Sequence, residues 1–236
     1  MRFAIIAAGE GSRLAAEGIT APKPLVEVRG EKLIDRLIRI FMDNEAEEIV
    51  VICNDLRPEV ARHLDRVSRE GLGGRSIPLR VVVKTTPSSM HSLAALSSYL
   101  DGAPFCLTTV DTIFDEQEFK RYVSDFKQAV EAQQVDGMMG VTDYIDDEKP
   151  LYVETDGTGR ITAFLDKSDE CKLISGGIYS LTPKALVTLK GCMERGEHRM
   201  RNFQRALVAD GQRLQAWLFH KVFDIDHAED IKKAEL

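Results

Sequence analysis

The sequence AAGEGSRLAAEGITAPKP, residues Ala7–Pro24, follows a short apolar run, Phe3–Ala8. An apolar run of this length that ends at glycines predicts a buried β-strand. Gly9 and Gly11 then leave the strand in a turn, where the lack of a side chain lets backbone N–H groups approach an anion closely. The segment therefore predicts a strand followed by a loop that is suited to phosphate.

The glycine pair alone is a weak signal, because Gly-x-Gly also occurs in tight strand-to-helix connections that bind nothing. The third glycine of a dinucleotide site and the Gly-Lys-Ser/Thr of a P-loop are both missing. Two cations favour the phosphate interpretation, Arg13 and Lys23. A proline on either side of Lys23, Pro22 and Pro24, restricts its backbone, so its ammonium group is presented in one place.

Composition limits the classes of function. The chain has 236 residues, a formal net charge of −7 and 44% hydrophobic residues, enough for one large α/β domain. The acidic balance disfavours nucleic acid and anionic membranes as partners, and it predicts that phosphate binding needs a divalent metal such as Mg²⁺. The four cysteines are far apart, which predicts reduced thiols rather than a zinc site or disulfides. With no signal peptide or membrane-length apolar run, we expect a cytoplasmic protein.

Short β-branched runs alternate with helical patterns in the first half, and this alternation predicts a parallel sheet wrapped by helices. The predicted strands are Phe3–Ala7, Glu48–Cys53, Leu79–Lys84, Pro104–Thr109, Gly137–Thr142, Tyr152–Thr155, Ile161–Asp166, Leu173–Ser180 and Leu214–Phe219. The predicted helices are Lys32–Asn44, Pro58–Glu70, Met90–Tyr99, Lys184–Lys190, Met200–Asp210 and one from Ala228. We expect one doubly wound α/β domain, residues 1–236, with an inserted substrate-binding lobe and ligands beyond the carboxyl ends of the strands.

Acidic residues mark two candidate metal-binding positions. Asp111 follows the apolar strand Phe105–Val110, where a carboxylate can hold Mg²⁺ or, alternatively, cap a helix that starts near Asp115. Asp224 and Asp226 lie in one short segment and point to the same side if it is extended. Asp226 is also a candidate helix N-cap, with a glutamate three residues later.

The Gly9–Arg13 and Pro22–Leu25 segments together resemble the signature of the sugar-phosphate nucleotidyltransferases, with the Arg-to-Lys spacing kept. Ala16 and Gly18 depart from that signature, which usually has proline and often threonine at these positions. The resemblance implies a doubly wound, mostly parallel, Rossmann-like sheet of the glycosyltransferase-A type. It also implies that residues 1–112 mainly bind the nucleotide and residues 113–236 mainly bind the acceptor.

The resemblance implies roles for individual residues. It assigns nucleotide contacts to Ala8, Gly9, Gly11, Ser88 and Ser89, catalysis to Arg13 and Lys23, and metal binding to Asp111 with Asp224 or Asp226. The segments Phe164–Lys167 and Ser175–Tyr179 resemble family segments that hold the acceptor, and Pro150–Glu154 matches a third one less well. The acceptor residues that the resemblance implies are Lys167, Gly176 and Glu154. Two departures stand out: Val110 replaces a glycine before the metal-binding aspartate, and Leu151 would crowd a sugar ring.

The function implied by the resemblance is the joining of a nucleoside triphosphate to a phosphorylated acceptor, most simply a sugar 1-phosphate, with release of pyrophosphate. Family habit favours a pyrimidine base and permits a homo-oligomer, but the Ser88–Ser92 loop does not identify the base. A bacterial choline-phosphate cytidylyltransferase is an alternative, since it shares the glycine loop and the closing Asp-Ile-Asp. A non-catalytic nucleotide-sensing subunit is a further alternative from another class.

Overall fold

A computed structural model describes residues 1–146 and 149–235, so the predicted domain is covered except for residues 147, 148 and 236. The strands are β1 Arg2–Ala7, β2 Glu27–Val28, β3 Glu31–Lys32, β4 Glu48–Cys53, β5 Leu79–Val83, β6 Phe105–Thr109, β7 Thr112–Phe114, β8 Gly137–Thr142, β9 Tyr152–Thr155, β10 Ile161–Leu165, β11 Leu173–Leu181, β12 Leu214–Leu218 and β13 Val222–Asp224. The helices are α1 Ser12–Ala16, α2 Leu33–Asp43, α3 Pro58–Glu70, α4 Ser89–Leu100, α5 Glu116–Glu131, α6 Lys184–Glu194, α7 Met200–Ala209 and α8 Ala228–Glu235, with a 3₁₀ turn at Lys23–Leu25.

One mixed sheet runs through the described part of the chain. Its first half is parallel, in the order β5-β4-β1-β6. The next strand, β11, is antiparallel to β6 and also pairs with β8 and β9, and from these the sheet extends to β12 and β10. The predicted α/β sheet with helices on both faces is confirmed, and its antiparallel part carries the second half of the chain.

Strand β1 shows why the sheet is covered on both faces. Phe3 and Ile5 are buried in a core shared with α2, α3 and α5, whereas Ala4 and Ile6 are buried in a second core with α4, α6 and α7. Alternate residues of a strand point to opposite faces, so an uninterrupted apolar run requires packing on both sides. Burying each large side chain contributes about 1.5–3 kcal/mol, which makes this strand central to stability.

Strand β11 contains an irregularity in its pairing with β8. Its register with β8 shifts between Ser175 and Ile178, at the pair Gly176 and Gly177. Gly177 has φ 73°, in the left-handed region that favours glycine. The bulge divides the strand, so that its later residues pair with β6 and its first residues pair with β9.

Most local expectations are confirmed, including α3 at Pro58–Glu70 and the hairpin between β9 and β10. The short strands β7 and β13 were not predicted, and they pair with each other outside the main sheet. No helix among residues 1–146 and 149–235 is long and apolar enough to span a bilayer. The four cysteines all lie in the described part of the chain and are free thiols, as expected.

Candidate functional site

The loop after β1 is held by close packing at one glycine and by one buried asparagine. Gly11 has φ 65°, and a Cβ atom there would lie 3.2 Å from the Cβ of Lys23. Gly9 has open space where a side chain would be. Asn54, which is buried at the end of β4, donates from Nδ2 to the carbonyl oxygens of Ala8 and Gly9, both at 3.1 Å. The sequence analysis did not single out Asn54, although a polar residue directly after a buried strand is a usable signal.

A cavity of about 370 Å³ opens beside this loop at the carboxyl ends of β1 and β6. Its lining includes the predicted nucleotide-contact residues Ala8, Gly9, Gly11, Ser88 and Ser89, together with Lys23 and Asp111. Ser88 is the N-cap of α4, and its hydroxyl accepts a hydrogen bond from the backbone N–H of His91 at 3.4 Å. Ser88 can cap α4 and also line the cavity, because its hydroxyl lies at the first turn of that helix.

Lys23 lies between two of the predicted metal-binding carboxylates. Its Nζ is 2.5 Å from Asp111 Oδ2 and 2.8 Å from Asp226 Oδ1. Arg13 Nη1 is 2.7 Å from the other oxygen of Asp226. Burial lowers the pKa of Lys23, but the two carboxylates outweigh burial and raise it, so its charge is retained.

The pairing of β7 with β13 brings the C-terminal acidic segment to this position. Thr112 is opposite Asp224, and the Ile225 N–H donates to the carbonyl oxygen of Asp111 at 3.0 Å. Burial in the cleft and repulsion from Asp111 raise the pKa of Asp224. Asp224 as a residue is nevertheless exposed to solvent at the end of β13.

The structure excludes both capping alternatives for the acidic residues. Asp115, not Asp111, is the N-cap of α5, since its side chain accepts from the Glu118 N–H at 2.8 Å. The backbone N–H groups of Asp226 and His227 donate to the carboxylate of Asp230. The side chain of Asp226 is therefore free of capping, and its contacts are with Lys23 and Arg13.

A second cavity, of about 560 Å³, adjoins the first, since Ser88 and Ser89 line both. Its walls come from β11, from the start of α7 and from β13, and they include Arg13, Gly176, Asp224 and Asp226. Four more cations line it, Lys149, Arg199, Arg201 and Lys233. This cavity is large enough for a small phosphorylated molecule beside the nucleotide cavity.

The three predicted acceptor residues lie in different surroundings. Gly176 lines the second cavity, but Lys167 and Glu154 are not among its lining residues. Lys167 is exposed beyond the end of β10, and Glu154 lies on the exposed face of β9, because its neighbour Val153 occupies the core. Gly176 thus lies at the second cavity, whereas the acceptor roles of Lys167 and Glu154 stay predictions.

Leu151 contributes an apolar side chain to the wall of the second cavity. It lines the second cavity together with Ile174 and is itself 7% exposed. Apolar side chains of this size narrow the space on that side of the cavity. This side of the second cavity is therefore an apolar wall.

A glycine loop, a lysine between carboxylates and two adjoining cavities are the parts required by an enzyme that moves a nucleotidyl group. The family model described as nucleotidyl transferase matches residues 3–235, and the chain belongs to this family. The UTP–glucose-1-phosphate uridylyltransferase AglF of Haloferax volcanii is 25% identical over 247 residues, which cover 100% of this chain and 95% of the relative.

Two solved structures share the fold over the whole chain. A putative glucose-1-phosphate thymidylyltransferase from Bacillus anthracis has a TM-score of 0.82 and 18% identity, with 100% of this chain and 94% of that one covered. The inositol-1-phosphate CTP transferase from T. maritima has a TM-score of 0.78 and 19% identity, with 100% and 96% covered. The chain therefore has the glycosyltransferase-A-like fold of these nucleotidyltransferases.

Proposed function

We propose that this protein transfers a nucleotidyl group from a nucleoside triphosphate to a phosphorylated acceptor, most simply a sugar 1-phosphate, and releases pyrophosphate. The observation that carries the proposal is the position of Lys23 and its carboxylate partners where the two cavities meet. Lys23 and Asp111 line the first cavity, whereas Arg13, Asp224 and Asp226 line the second. The first half of the chain supplies the nucleotide loop, and the second half supplies most of the acceptor wall.

In this reaction an oxygen of the acceptor phosphate attacks the α-phosphorus, and the bond from that phosphorus to the bridging oxygen of pyrophosphate breaks. The attacking phosphate is already ionised, so no side chain is needed as a base. Transfers of this kind depend on positioning and on neutralising charge. Gly9 and Gly11 leave the backbone open to the phosphates, Arg13 neutralises the leaving pyrophosphate, and Lys23 holds the α-phosphate next to the incoming group.

The carboxylates fit a divalent metal by their donor chemistry, because Mg²⁺ prefers oxygen ligands and keeps part of its water shell. No group of three or more His, Cys, Asp or Glu side chains within residues 1–146 and 149–235 has the arrangement of a complete metal site. Asp226 is paired with two cations, Arg13 and Lys23, whereas Asp111 is paired with Lys23 and lies close enough to Asp224 to repel it. We therefore assign Mg²⁺ to Asp111 and Asp224, and the ion would offset charge on the triphosphate.

The relatives support a pyrimidine nucleotide, since their names specify UTP, CTP and a thymidylyl group. We test the proposal by incubating the protein with Mg²⁺ and each of four nucleoside triphosphates against a panel of phosphorylated acceptors. The readout is pyrophosphate release, with the product identified by mass spectrometry. We expect turnover with a sugar 1-phosphate or a related polyol phosphate, and we place the reaction in the cytoplasm.

Asp111→Asn and Lys23→Ala provide the site-specific controls for that screen. Removing one preorganised charge costs about 10²–10³ in rate. Lys32→Ala is the matched surface control, because Lys32 makes only a 4.0 Å contact with Glu27. Near-native turnover in Asp111→Asn or Lys23→Ala would contradict the assigned roles.

Choline phosphate is the second candidate acceptor, and one feature of the second cavity favours it. Tyr144 and Phe223 both line that cavity, and Lys221 Nζ lies 5.0 Å and 4.8 Å from the centres of their rings. Two rings around an ammonium form the kind of environment that binds choline. Turnover with CTP and phosphocholine, and none with sugar phosphates, would select this alternative. Nucleotide binding without turnover on any acceptor would select the sensing role.

A further inference from the structure

Gln204 has an unusual environment on α7. It is 2% exposed, yet it lines the acceptor cavity on the same helical face as Met200, four residues earlier. Its Nε2 donates to Ser175 Oγ at 3.3 Å, and among the described residues its Oε1 has no hydrogen-bond partner. Folded proteins rarely leave a buried carbonyl unpaired, because its lost hydration is then not replaced.

Two residues of β11 complete a polar floor beneath the cavity. The Ser175 N–H donates to the Leu151 carbonyl oxygen at 2.9 Å, which holds Ser175 in place, and Tyr179 lines the cavity beside it. Burial raises the pKa of Tyr179 to about 12, although hydrogen bonds with Ser175 and Gln204 partly offset this effect. The phenol is therefore a neutral hydrogen-bonding group near neutral pH.

We propose that Ser175, Tyr179 and Gln204 form the subsite that recognises a hydroxyl group of the acceptor. This inference rests on the proposed function and adds the residues that favour a hydroxyl-bearing acceptor phosphate over phosphocholine. A hydroxyl both donates and accepts, so it pairs with the terminal amide of Gln204 whichever way that amide is turned. A trimethylammonium group has no N–H donor, so phosphocholine leaves the Gln204 carbonyl unpaired.

The covered position of Oε1 sets one requirement. The Oε1 atom of Gln204 is almost inaccessible to solvent. Contact with a hydroxyl group of the acceptor therefore needs rotation of the terminal amide of Gln204. That torsion joins an sp³ carbon to an sp² carbon and has a broad energy profile, so the rotation is easy. Ser175 Oγ accepts a hydrogen bond from Gln204 before the rotation. After the rotation, the Ser175 hydroxyl can donate to or accept from the bound hydroxyl group.

Gln212 provides a matched control within the same chain. It is also buried, at 4% exposed, and its Oε1 also has no partner among the described residues. Its Nε2 donates to Thr188 Oγ1 at 2.9 Å, and it is not among the residues that line either site cavity. An unpaired glutamine carbonyl is thus not by itself a ligand site, and the position of Gln204 in the cavity wall is what distinguishes it.

The test compares Gln204→Met with Gln212→Met, since methionine keeps the length of the side chain and removes the hydrogen-bonding amide. Pyrophosphate release is measured with glucose 1-phosphate, its single deoxy analogues, inositol 1-phosphate and phosphocholine. Saturation-transfer NMR measures binding of the same phosphates directly, and thermal melting verifies folding. If Gln204→Met does not fold, Ser175→Ala replaces it.

We expect Gln204→Met to raise the KM for the hydroxylated acceptor about tenfold or more with little change in kcat, and Gln212→Met to leave both unchanged. For the one deoxy analogue that lacks the recognised hydroxyl, wild type and Gln204→Met should coincide. Unchanged kinetics in Gln204→Met, an equal loss on every analogue, or no binding of any hydroxylated phosphate to wild type overturns the inference. Gln204-dependent binding without pyrophosphate release rejects the proposed function and retains the subsite.

Discussion

Thr112 and Asp224 face each other across the two-stranded sheet of β7 and β13, although nearly half of the chain separates them. This pairing places Asp224 next to Asp111, directly beyond the end of β6. Neither strand belongs to the main sheet, so the carboxylates meet through a small accessory sheet. The accessory sheet thereby connects the C-terminal segment to the residues that follow β6.

The two glycines of the loop should respond differently to alanine. Gly11→Ala should lower stability by about 1–2 kcal/mol, because φ is 65° and the added Cβ would press on Lys23. Gly9→Ala should leave the melting temperature unchanged and raise the KM for the nucleotide, since its Cβ would project into the open space of the cavity. Thermal melting and nucleotide kinetics measure the two effects. Equal melting temperatures for both variants would count against this account of the loop.

Arg36 should act as a positioning residue for the accessory sheet. Its guanidinium donates to the carbonyl oxygens of Thr112 at 3.3 Å and Phe114 at 2.9 Å, and burial lowers its pKa to about 10, so it stays charged. Arg36→Met should lower the free energy of unfolding by about 1–3 kcal/mol and reduce kcat about tenfold or more, because β7 would lose both hydrogen bonds from the guanidinium group.

Arg39 is the matched control on the same helix. It pairs with Glu31, Asp43 and Glu116, and none of its hydrogen bonds or ion pairs within the described residues is made to β7. Arg39→Met should reduce stability by no more than about 1 kcal/mol and leave kcat unchanged. Equal losses of kcat in Arg36→Met and Arg39→Met would show that Arg36 has no special positioning role.

Metal dependence should separate the two C-terminal carboxylates. Chelation with EDTA should abolish pyrophosphate release, and added Mg²⁺ should restore it. Asp224→Asn should raise the half-saturating Mg²⁺ concentration about tenfold or more, whereas Asp226→Asn should mainly reduce kcat, since its contacts are with Lys23 and Arg13. Glu229→Gln, at an exposed side chain, serves as the control. The reverse pattern would assign the metal to Asp226.

The Asp136–Arg213 pair predicts a pH-dependent contribution to stability. Hydrogen bonds from the Arg213 side chain, opposed by burial, lower the pKa of Asp136 to about 2. A lowered folded-state pKa means that the carboxylate stabilises the fold above about pH 4, and that this contribution is lost as the pH falls towards 2. Asp136→Asn should lower the free energy of unfolding by about 1–2 kcal/mol at pH 7, after allowance for solvent screening. Below about pH 4 this decrease should become progressively smaller.

Urea unfolding at a series of pH values measures this effect. The exposed pair of Asp43 and Arg75 is the comparison, since its side chains are roughly half accessible. Asp43→Asn should change the free energy of unfolding by less than about 1 kcal/mol at every pH. If Asp136→Asn lowered the free energy of unfolding by the same amount at every pH, the loss would come from packing and not from charge.

The main sheet was predictable because its signals are local. The apolar run of β1, the start and end of α3 and the turn between β9 and β10 each depend on neighbouring residues, through strand alternation, helix capping and turn chemistry. The glycine loop was also recognisable, since its glycines and cations lie at short spacing in the sequence. Family resemblance then nominated Asp111, Asp224 and Asp226 as partners.

The amino-acid sequence by itself determined the α/β sheet, the glycine loop and the supply of carboxylates. Only the tertiary structure decided that Thr112 pairs with Asp224, that Asn54 anchors the loop and that Gln204 lines the second cavity. It also decided that Lys167 lies outside that cavity. These outcomes depend on packing between segments that are distant in the chain, and a local pattern carries no information about the distances and orientations that such packing creates.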